Sequence, residues 1–393
     1  VTPLRPVATD VRDTTEIGRY LGWLAGHRGL GFDGYASLHH WSVTDLDGFW
    51  SSIRDYFGVR FSTPETAVVP DPRMPGTEWF PGATLNYAEH ALSHQPDDEV
   101  AVIAYSQTRP RVELTWAELR DQVARARAGL KRLGVGRGDR VVAYLPNIPE
   151  TVVAYLATAS LGAVWASCAP EFGARAVIDR FGQVEPKVLL TVSGYRYGTK
   201  DVDRRDEIAE IVAGLPSVEH VVRVAYGDDA DGWTELLDHP GEPGFEPVGF
   251  AHPLCVLFSS GTTGKPKPIV HGHGGLLLEH LKNHGLSWDL RPGDRMLWFS
   301  TTAWMMWNAL VSGLLTGASI VLVDGNPLHP DLAWQWRLAA ETRATLLGAS
   351  PGFLMACRNA GLDPAAELDL SALRQIGAAG SPLPAPGYRW VTV

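Results

Sequence analysis

From about residue 100 the chain alternates between short apolar, β-branched runs and amphipathic stretches, and no other feature of the sequence limits its fold as tightly. Runs of strand length occupy 100–105, 141–145, 163–168 and 188–192, and again 254–258, 296–300, 319–323, 344–347 and 373–376. After the first run, Thr115 is followed at the third position by Glu118, the reciprocal capping arrangement of a helix start. Trp116, Leu119, Val123, Ala126, Leu130 and Leu133 then recur at helical steps, and Gly134 offers a left-handed stop. Further helices are expected after Pro149, near 174–181 and near 205–212. Strands separated by helices need right-handed crossovers, which build mostly parallel sheets, so the chain reads as α/β.

Gly, Asp and Pro dominate 227–253, the composition of a connection. Two layered α/β subdomains with mostly parallel sheets are therefore expected, the first over 96–230 and the second over 250–393. Residues 1–95 are rich in aromatic and turn-forming side chains, hold a Pro-studded stretch at 69–82 and show no sustained period; they read as an extension packed on the rest. Two uncharged stretches, 151–169 and 296–323, are long enough to suggest a membrane span. Gly162 breaks the first, and Ser300, Thr301, Thr302, Asn308, Ser312 and Thr316 interrupt the second, so both read as buried strand and helix.

A formal net charge of −10, from 34 basic and 44 acidic residues, leaves no cationic field for nucleic acid or an anionic membrane. Any anionic ligand must then be met by a local site. Cys168, Cys255 and Cys357 are scattered and odd in number, which fits a reducing compartment rather than a disulfide framework. With no apolar secretory run in the first thirteen residues, a cytoplasmic location is expected.

The most informative segment follows the run at 254–258: Ser259, Ser260, Gly261, Thr262, Thr263, Gly264, Lys265, Pro266 and Lys267. The glycines let backbone N–H groups approach oxygens, the hydroxyls donate, and the two lysines supply positive charge, the composition of a phosphate cradle. A polar hairpin turn is the plain alternative, although a turn needs only one or two such residues. A Walker loop is excluded, because its first Gly would fall on Ser259 and its final Ser or Thr on Pro266. A dinucleotide fingerprint at Gly272 and Gly274 fails because its third Gly falls on Leu277.

This loop resembles the phosphate-binding signature of the adenylate-forming superfamily, with Pro268 in place of a common Gly. LHHWSVTDLDGFW within 38–59, WFPGATLNYA at 79–88 and the whole of 138–173 are similar to acetyl- and acetoacetyl-CoA synthetases, so the resemblance runs from about residue 35 to the C-terminus. It implies the large N-terminal domain of the adenylate-forming fold, with ATP, Mg2+, CoA and a short acid, most closely acetoacetate, as ligands. Acetate or propionate is the alternative acid. By resemblance Ser259 through Lys265 and Lys267 grip the β- and γ-phosphates, with Thr263 and Lys267 serving catalysis. Trp304 matches an aromatic beside the acyl pocket, and Met305 and Met306 match the wording of acetoacetyl-CoA synthetases, against a plain core-filling role for the methionines. Gly380, Ser381 and Pro382 resemble a segment lying on adenine and ribose, against a strand-ending turn; Arg196 resembles a contact to CoA phosphates, against a surface loop.

A serine esterase is the rival from another class, since Gly348, Ser350 and Gly352 fit a nucleophile elbow and 271–275 resembles an oxyanion-hole string. That fold needs a His after its nucleophile, and the last His is His329. A metal on His271 and His273 lacks a third ligand cluster, so strand-edge packing is the expectation. A catalytically inactive nucleotide-binding module is a third reading. The resemblance also implies a Mg2+-binding Glu, a ribose-binding Asp and a catalytic Lys in a C-terminal domain, none of them matched within 1–393. Residues 1–393 alone are accordingly expected to release no pyrophosphate from ATP and acetoacetate, and measurable release would overturn that expectation.

Overall fold

The computed structural model describes residues 10–93, 96–226, 232–259 and 264–392. Among these residues the chain forms two six-stranded sheets. Their strands, in chain order, are β1 (Val100–Tyr105), β2 (Val112–Thr115), β3 (Arg140–Tyr144), β4 (Val164–Cys168), β5 (Val188–Thr191), β6 (His220–Arg223), β7 (Pro253–Phe258), β8 (Pro268–Gly272), β9 (Arg295–Trp298), β10 (Ser319–Val323), β11 (Leu346–Ala349) and β12 (Gln375–Ala378). The first sheet has the order β8-β7-β4-β3-β5-β6 and the second β12-β11-β9-β10-β1-β2. Each is parallel except for one antiparallel edge strand, β8 or β2, supplied by a return of the chain beside its predecessor.

The alternation anticipated this layering, but the chain does not sort its strands at the 227–253 connection. β1 and β2 lie in the sheet built by the later strands, and β7 and β8 join the sheet of the earlier ones. Pairing departs from chain order: β10 runs parallel to β1 from Ile320 beside Val102 to Val323 beside Tyr105, and β7 sets Cys255 beside Trp165 of β4.

Side chains alternate across most of these strands, β1 and β7 being interrupted by a bulge near their starts. Val141 and Ala143 of β3 point into the large central core while Val142 and Tyr144 join the outer core of the first sheet. Ile320 and Leu322 of β10 enter the same central core, and Val321 and Val323 face the outer core of the second sheet. The central core is thus shared by the inner faces of both sheets and by the helices between them. The Pro149–Ser160 helix, buried at every residue except Glu150, is the clearest member of that layer. The uncharged stretch at 151–169 is this helix followed by β4, and 296–323 runs from β9 through the Met305–Val311 helix to β10. Among the described residues no helix is long and apolar enough to cross a membrane.

The Trp116–Arg132 helix carries the anticipated reciprocal cap, with Thr115 Oγ1 accepting from the Glu118 N–H and the Glu118 carboxylate accepting from the Thr115 N–H. The N-terminal region is more helical than its lack of period suggested, with helices at Glu16–Arg28, Tyr35–Thr44 and Leu46–Tyr56. Rings hold it together, Tyr20 edge-on to Tyr56 at 5.1 Å and Phe49 to Trp50 at 5.2 Å. Aromatic residues spread round the Glu16–Arg28 and Tyr35–Thr44 helices blur an amphipathic stripe there, whereas Leu46–Tyr56 keeps one.

Trp298, at the end of β9, lies across Gly348 of β11 and Gly377 of β12; a Cβ at Gly348 would fall 1.8 Å from the indole and one at Gly377 2.5 Å from it. Gly348→Ala should therefore destabilise the protein by about 1–3 kcal/mol through overpacking. The checking measurement is the thermal-unfolding midpoint, with Gly352→Ala, whose Cβ would meet nothing nearer than the Ser350 Oγ at 3.9 Å, as the control that loses no stability.

Candidate active site

Parallel strands end on one edge of their sheet, and ligands of α/β folds bind beyond that edge. Here both sheets end on a common cleft, lined by Asn147 after β3, Glu171 after β4, Ser300 and Thr301 after β9, and Asp324 after β10. Buried hydrogen bonds tie the loop after β9 to the first sheet. The Ser167 hydroxyl donates to the Thr302 carbonyl at 2.7 Å, Thr302 Oγ1 donates to the Leu145 carbonyl at 2.7 Å, and Trp307 Nε1 donates to Asn147 Oδ1 at 2.9 Å. With Oδ1 so engaged, Asn147 Nδ2 and the neighbouring Thr301 Oγ1 are buried with no partner among the described residues. Two unsatisfied polar groups on one cleft are groups a ligand can satisfy.

Asp324 and Glu171 are the two carboxyl groups of this cleft. The Tyr226 phenol donates to the Asp324 carboxylate, Ser106 Oγ bonds the same phenol, and the Thr108 N–H donates to Ser106 Oγ at 2.8 Å. Arg109 sits 5.0 Å over the Tyr226 ring and holds Glu150 in a two-pronged pair at 2.7 and 2.6 Å. Burial pushes the Asp324 carboxyl up to about 7; the Tyr226 hydrogen bond opposes this and the negative Glu171 adds to it.

The expected phosphate loop connects β7 to β8. Phe258 pairs with Pro268, and the Ser259 N–H donates to the Lys267 carbonyl at 3.0 Å. The connection is a hairpin in its topology, far longer than a tight turn. Because β7 is parallel to β4, the loop leaves the sheet on the cleft side. Ser260, Gly261, Thr262 and Thr263 lie outside the described residues. Gly264 has φ +111°, which favours glycine, and Gln183 Nε2 donates to the Pro266 carbonyl at 2.9 Å, anchoring the far arm to the Ala174–Phe181 region. Lys265 reaches Asp179 at 3.4 Å but is largely exposed, and Lys267 is exposed as well.

Trp304 precedes the Met305–Val311 helix, three residues beyond Thr301. Trp304 and Met305 are 54% and 51% exposed, whereas Met306 packs on the central core, so core filling describes Met306 and not Met305. Gly380, Ser381 and Pro382 are exposed just after β12, on the same edge of the second sheet, and Gly380 has φ +106°. Arg196 stands on a small hairpin, Gly194–Tyr197 with Lys200–Asp203, where its Nε donates to Asp201 at 2.8 Å in the open. Gln107 docks that hairpin on the loop after β10, its Oε1 accepting from the Gly198 N–H at 2.6 Å and from the Asn326 N–H at 2.9 Å.

The residues of the esterase reading have structural duties. Ser350 Oγ caps the Pro351–Asn359 helix by accepting from the Phe353 N–H at 3.1 Å. His273 is fully buried, accepting the Tyr87 N–H on Nδ1 at 3.2 Å, and burial lowers its pKa to about 3. Sequence reasoning passed over Asn147, Thr301 and Asp324. The available signal was positional, since each is a polar residue just after an apolar strand of a parallel sheet.

Comparison with known proteins gives the chain's relatives. Residues 88–393 match the AMP-binding enzyme family, and residues 35–91 match the acetyl-coenzyme A synthetase N-terminus. The acetoacetyl-coenzyme A synthetase of Rhizobium meliloti (strain 1021) is 39% identical over 99% of this chain and 61% of its own length. The acetoacetyl-CoA synthetase of Mus musculus is 37% identical over 97% of this chain and 60% of its own. A solved structure of acetoacetyl-CoA synthetase from Streptomyces lividans superposes with a TM-score of 0.96 at 53% identity, over 100% of this chain and 62% of that one. The chain thus spans about 60% of the length of the curated relatives it matches.

Because Asp324 holds its proton more tightly folded than unfolded, the folded state carries the extra proton between about pH 4 and pH 7, and stability falls as pH rises through that window. Asp324→Asn removes this penalty. Its stability relative to the parent should rise by as much as about 4 kcal/mol between pH 4 and pH 8. Denaturant midpoints of the two proteins across pH check this, and a difference that stays flat with pH rules it out.

Proposed function

This chain belongs to the AMP-binding enzyme family, and on that premise we propose that it serves the ATP-dependent, AMP-forming activation of acetoacetate and transfer of the acetoacetyl group to CoA. The observation that carries this reading is the agreement with acetoacetyl-CoA synthetases along essentially the whole chain.

The chemistry begins with an electrostatic obstacle. A carboxylate must approach a triphosphate, and two like charges 4 Å apart repel by about 4 kcal/mol at the effective dielectric of a protein surface. Lys265, Lys267 and the hydroxyls and N–H groups of 259–264 offset that repulsion by holding the β- and γ-phosphates. One oxygen of acetoacetate then attacks the α-phosphorus, the bond to pyrophosphate breaks, and acetoacetyl-AMP forms. The thiolate of CoA attacks the acyl carbon of that mixed anhydride, and AMP leaves with the bonding electrons. Trp304 and Met305, exposed near Thr301, bound the acyl group in this reading, and Gly380, Ser381 and Pro382 lie against adenine and ribose. The exposed pair of Arg196 with Asp201 is worth little by itself, which leaves the guanidinium able to exchange its partner for a CoA phosphate.

Mg2+ neutralises phosphate charge in reactions of this class. Among the described residues no three His, Cys, Asp or Glu side chains gather as a metal cage, and Mg2+ beside a triphosphate is held mainly by phosphate oxygens and water with one or two carboxylates. The free, buried cysteines and the net charge of −10 support a cytoplasmic setting and small-molecule ligands rather than nucleic acid.

Pyrophosphate release by a full-length protein carrying this region tests the reading. Acetoacetate should outpace acetate and propionate in kcat/KM, and Lys267→Ala should lower kcat by about a hundredfold, as loss of one charge-stabilising donor does. Trp304→Ala should raise KM for acetoacetate and narrow its lead over acetate. Faster turnover of acetate than of acetoacetate would sink the assignment.

A further inference from the structure

A second cavity, of about 220 Å3, lies at the opposite end of the first sheet from the cleft. It is walled by Leu92, by Val123, Ala124 and Arg127 of the Trp116–Arg132 helix, and by Phe245 of the connecting segment. Ser160, also on its wall, precedes β4, whereas the cleft opens after β4. Five residues of strand, about 16 Å at 3.3 Å each, therefore separate the two.

The lining is mostly apolar, yet its charges do not balance. Arg60 lies 3.7 Å from Glu89, and Arg120 pairs with Asp97 and donates to the Leu92 carbonyl at 3.1 Å. Arg127 has neither ion pair nor side-chain hydrogen bond among the described residues, and its Nε is buried without a partner. The guanidinium packs against Gly244, where a Cβ would sit 3.0 Å from Cζ. A guanidinium stays charged, and although Arg127 is only partly buried its Nε lacks a partner, which an anion in the cavity supplies.

We propose that this cavity binds a small apolar carboxylate, its carboxylate on Arg127 and its hydrocarbon body against Leu92, Val123, Ala124 and Phe245. A single uncompensated cation on a wall that also carries Glu89 suits a monoanion and disfavours phosphate. The size agrees, since a dry cavity of about 150 Å3 holds a benzene ring and the remaining volume accommodates a carboxylate. The site is separate from the cleft and does not rest on the proposed reaction.

Benzoate is the probe, with benzyl alcohol as its uncharged counterpart, titrated calorimetrically into the full-length protein with the cleft saturated by a non-hydrolysable acyl-adenylate analogue. Benzoate should bind one equivalent, and Arg127→Met should weaken it by at least about tenfold, the worth of a hydrogen bond to a charged group. Arg127→Lys should retain part of the affinity, benzyl alcohol should bind the parent weakly, and Ala124→Phe should exclude both ligands by filling the space. An unchanged thermal midpoint in Arg127→Lys guards against misfolding as the cause. Absence of benzoate binding at millimolar concentration, or equal affinity in parent and Arg127→Met, overturns the proposal. A benzoate-soaked crystal with density only in the cleft does the same.

Discussion

The helical layer caught between the two sheets is the constraint from which the rest of the structure follows. Its apolar side chains have no other place to go: the Pro149–Ser160 helix is buried all round but for Glu150, and it meets the inner faces of both sheets in one continuous core. A helix this apolar, whose Thr151, Thr158 and Ser160 hydroxyls are spent on backbone carbonyls, belongs in a core rather than at a surface. Both sheets are therefore held to it, with their strand ends aligned on the same side. The cleft is a consequence of that alignment.

Once the sheets are fixed, a few hydrogen bonds decide the shape of the cleft. Ser167, Thr302 and Trp307 tie the loop after β9 to β3 and β4, and the same ties leave Asn147 Nδ2 and Thr301 Oγ1 unspent. Buried polar groups are normally satisfied, and those that are not mark places where a ligand or water completes the set. On the opposite end of the first sheet, Arg127 stands in the same relation to its own cavity.

Much of this was legible in the sequence because strand and helix periods are local properties. Val100–Tyr105, Ala174–Phe181 and Ser319–Val323 fall where the runs of apolar residues placed them, and Thr115 with Glu118 marked a helix start. Sheet membership was not legible, because nothing local in 100–115 says that its partner is β10 rather than β3. The glycine- and hydroxyl-rich loop stood out by composition, whereas Asn147, Thr301 and Asp324 are ordinary residues whose meaning comes from strand ends that only the assembled sheets bring together. Arg127 is likewise unremarkable in its helix until Asp97 and Glu89 are seen to serve its neighbours instead.

The crossed strand membership of the sheets also bears on how the chain is made. The β1–β2 hairpin leaves the ribosome early, yet the strand that pairs with it, joined also by the hydrogen bond from Ser319 to the Val100 carbonyl, comes 219 residues later. At about 5–20 residues per second that interval is roughly ten to forty seconds. Through it a bare strand edge with Val102 and Ile103 has no sheet to join, and such edges are templates for unwanted pairing. The two layers must mature together, and the nascent chain is at its most vulnerable before β10 arrives.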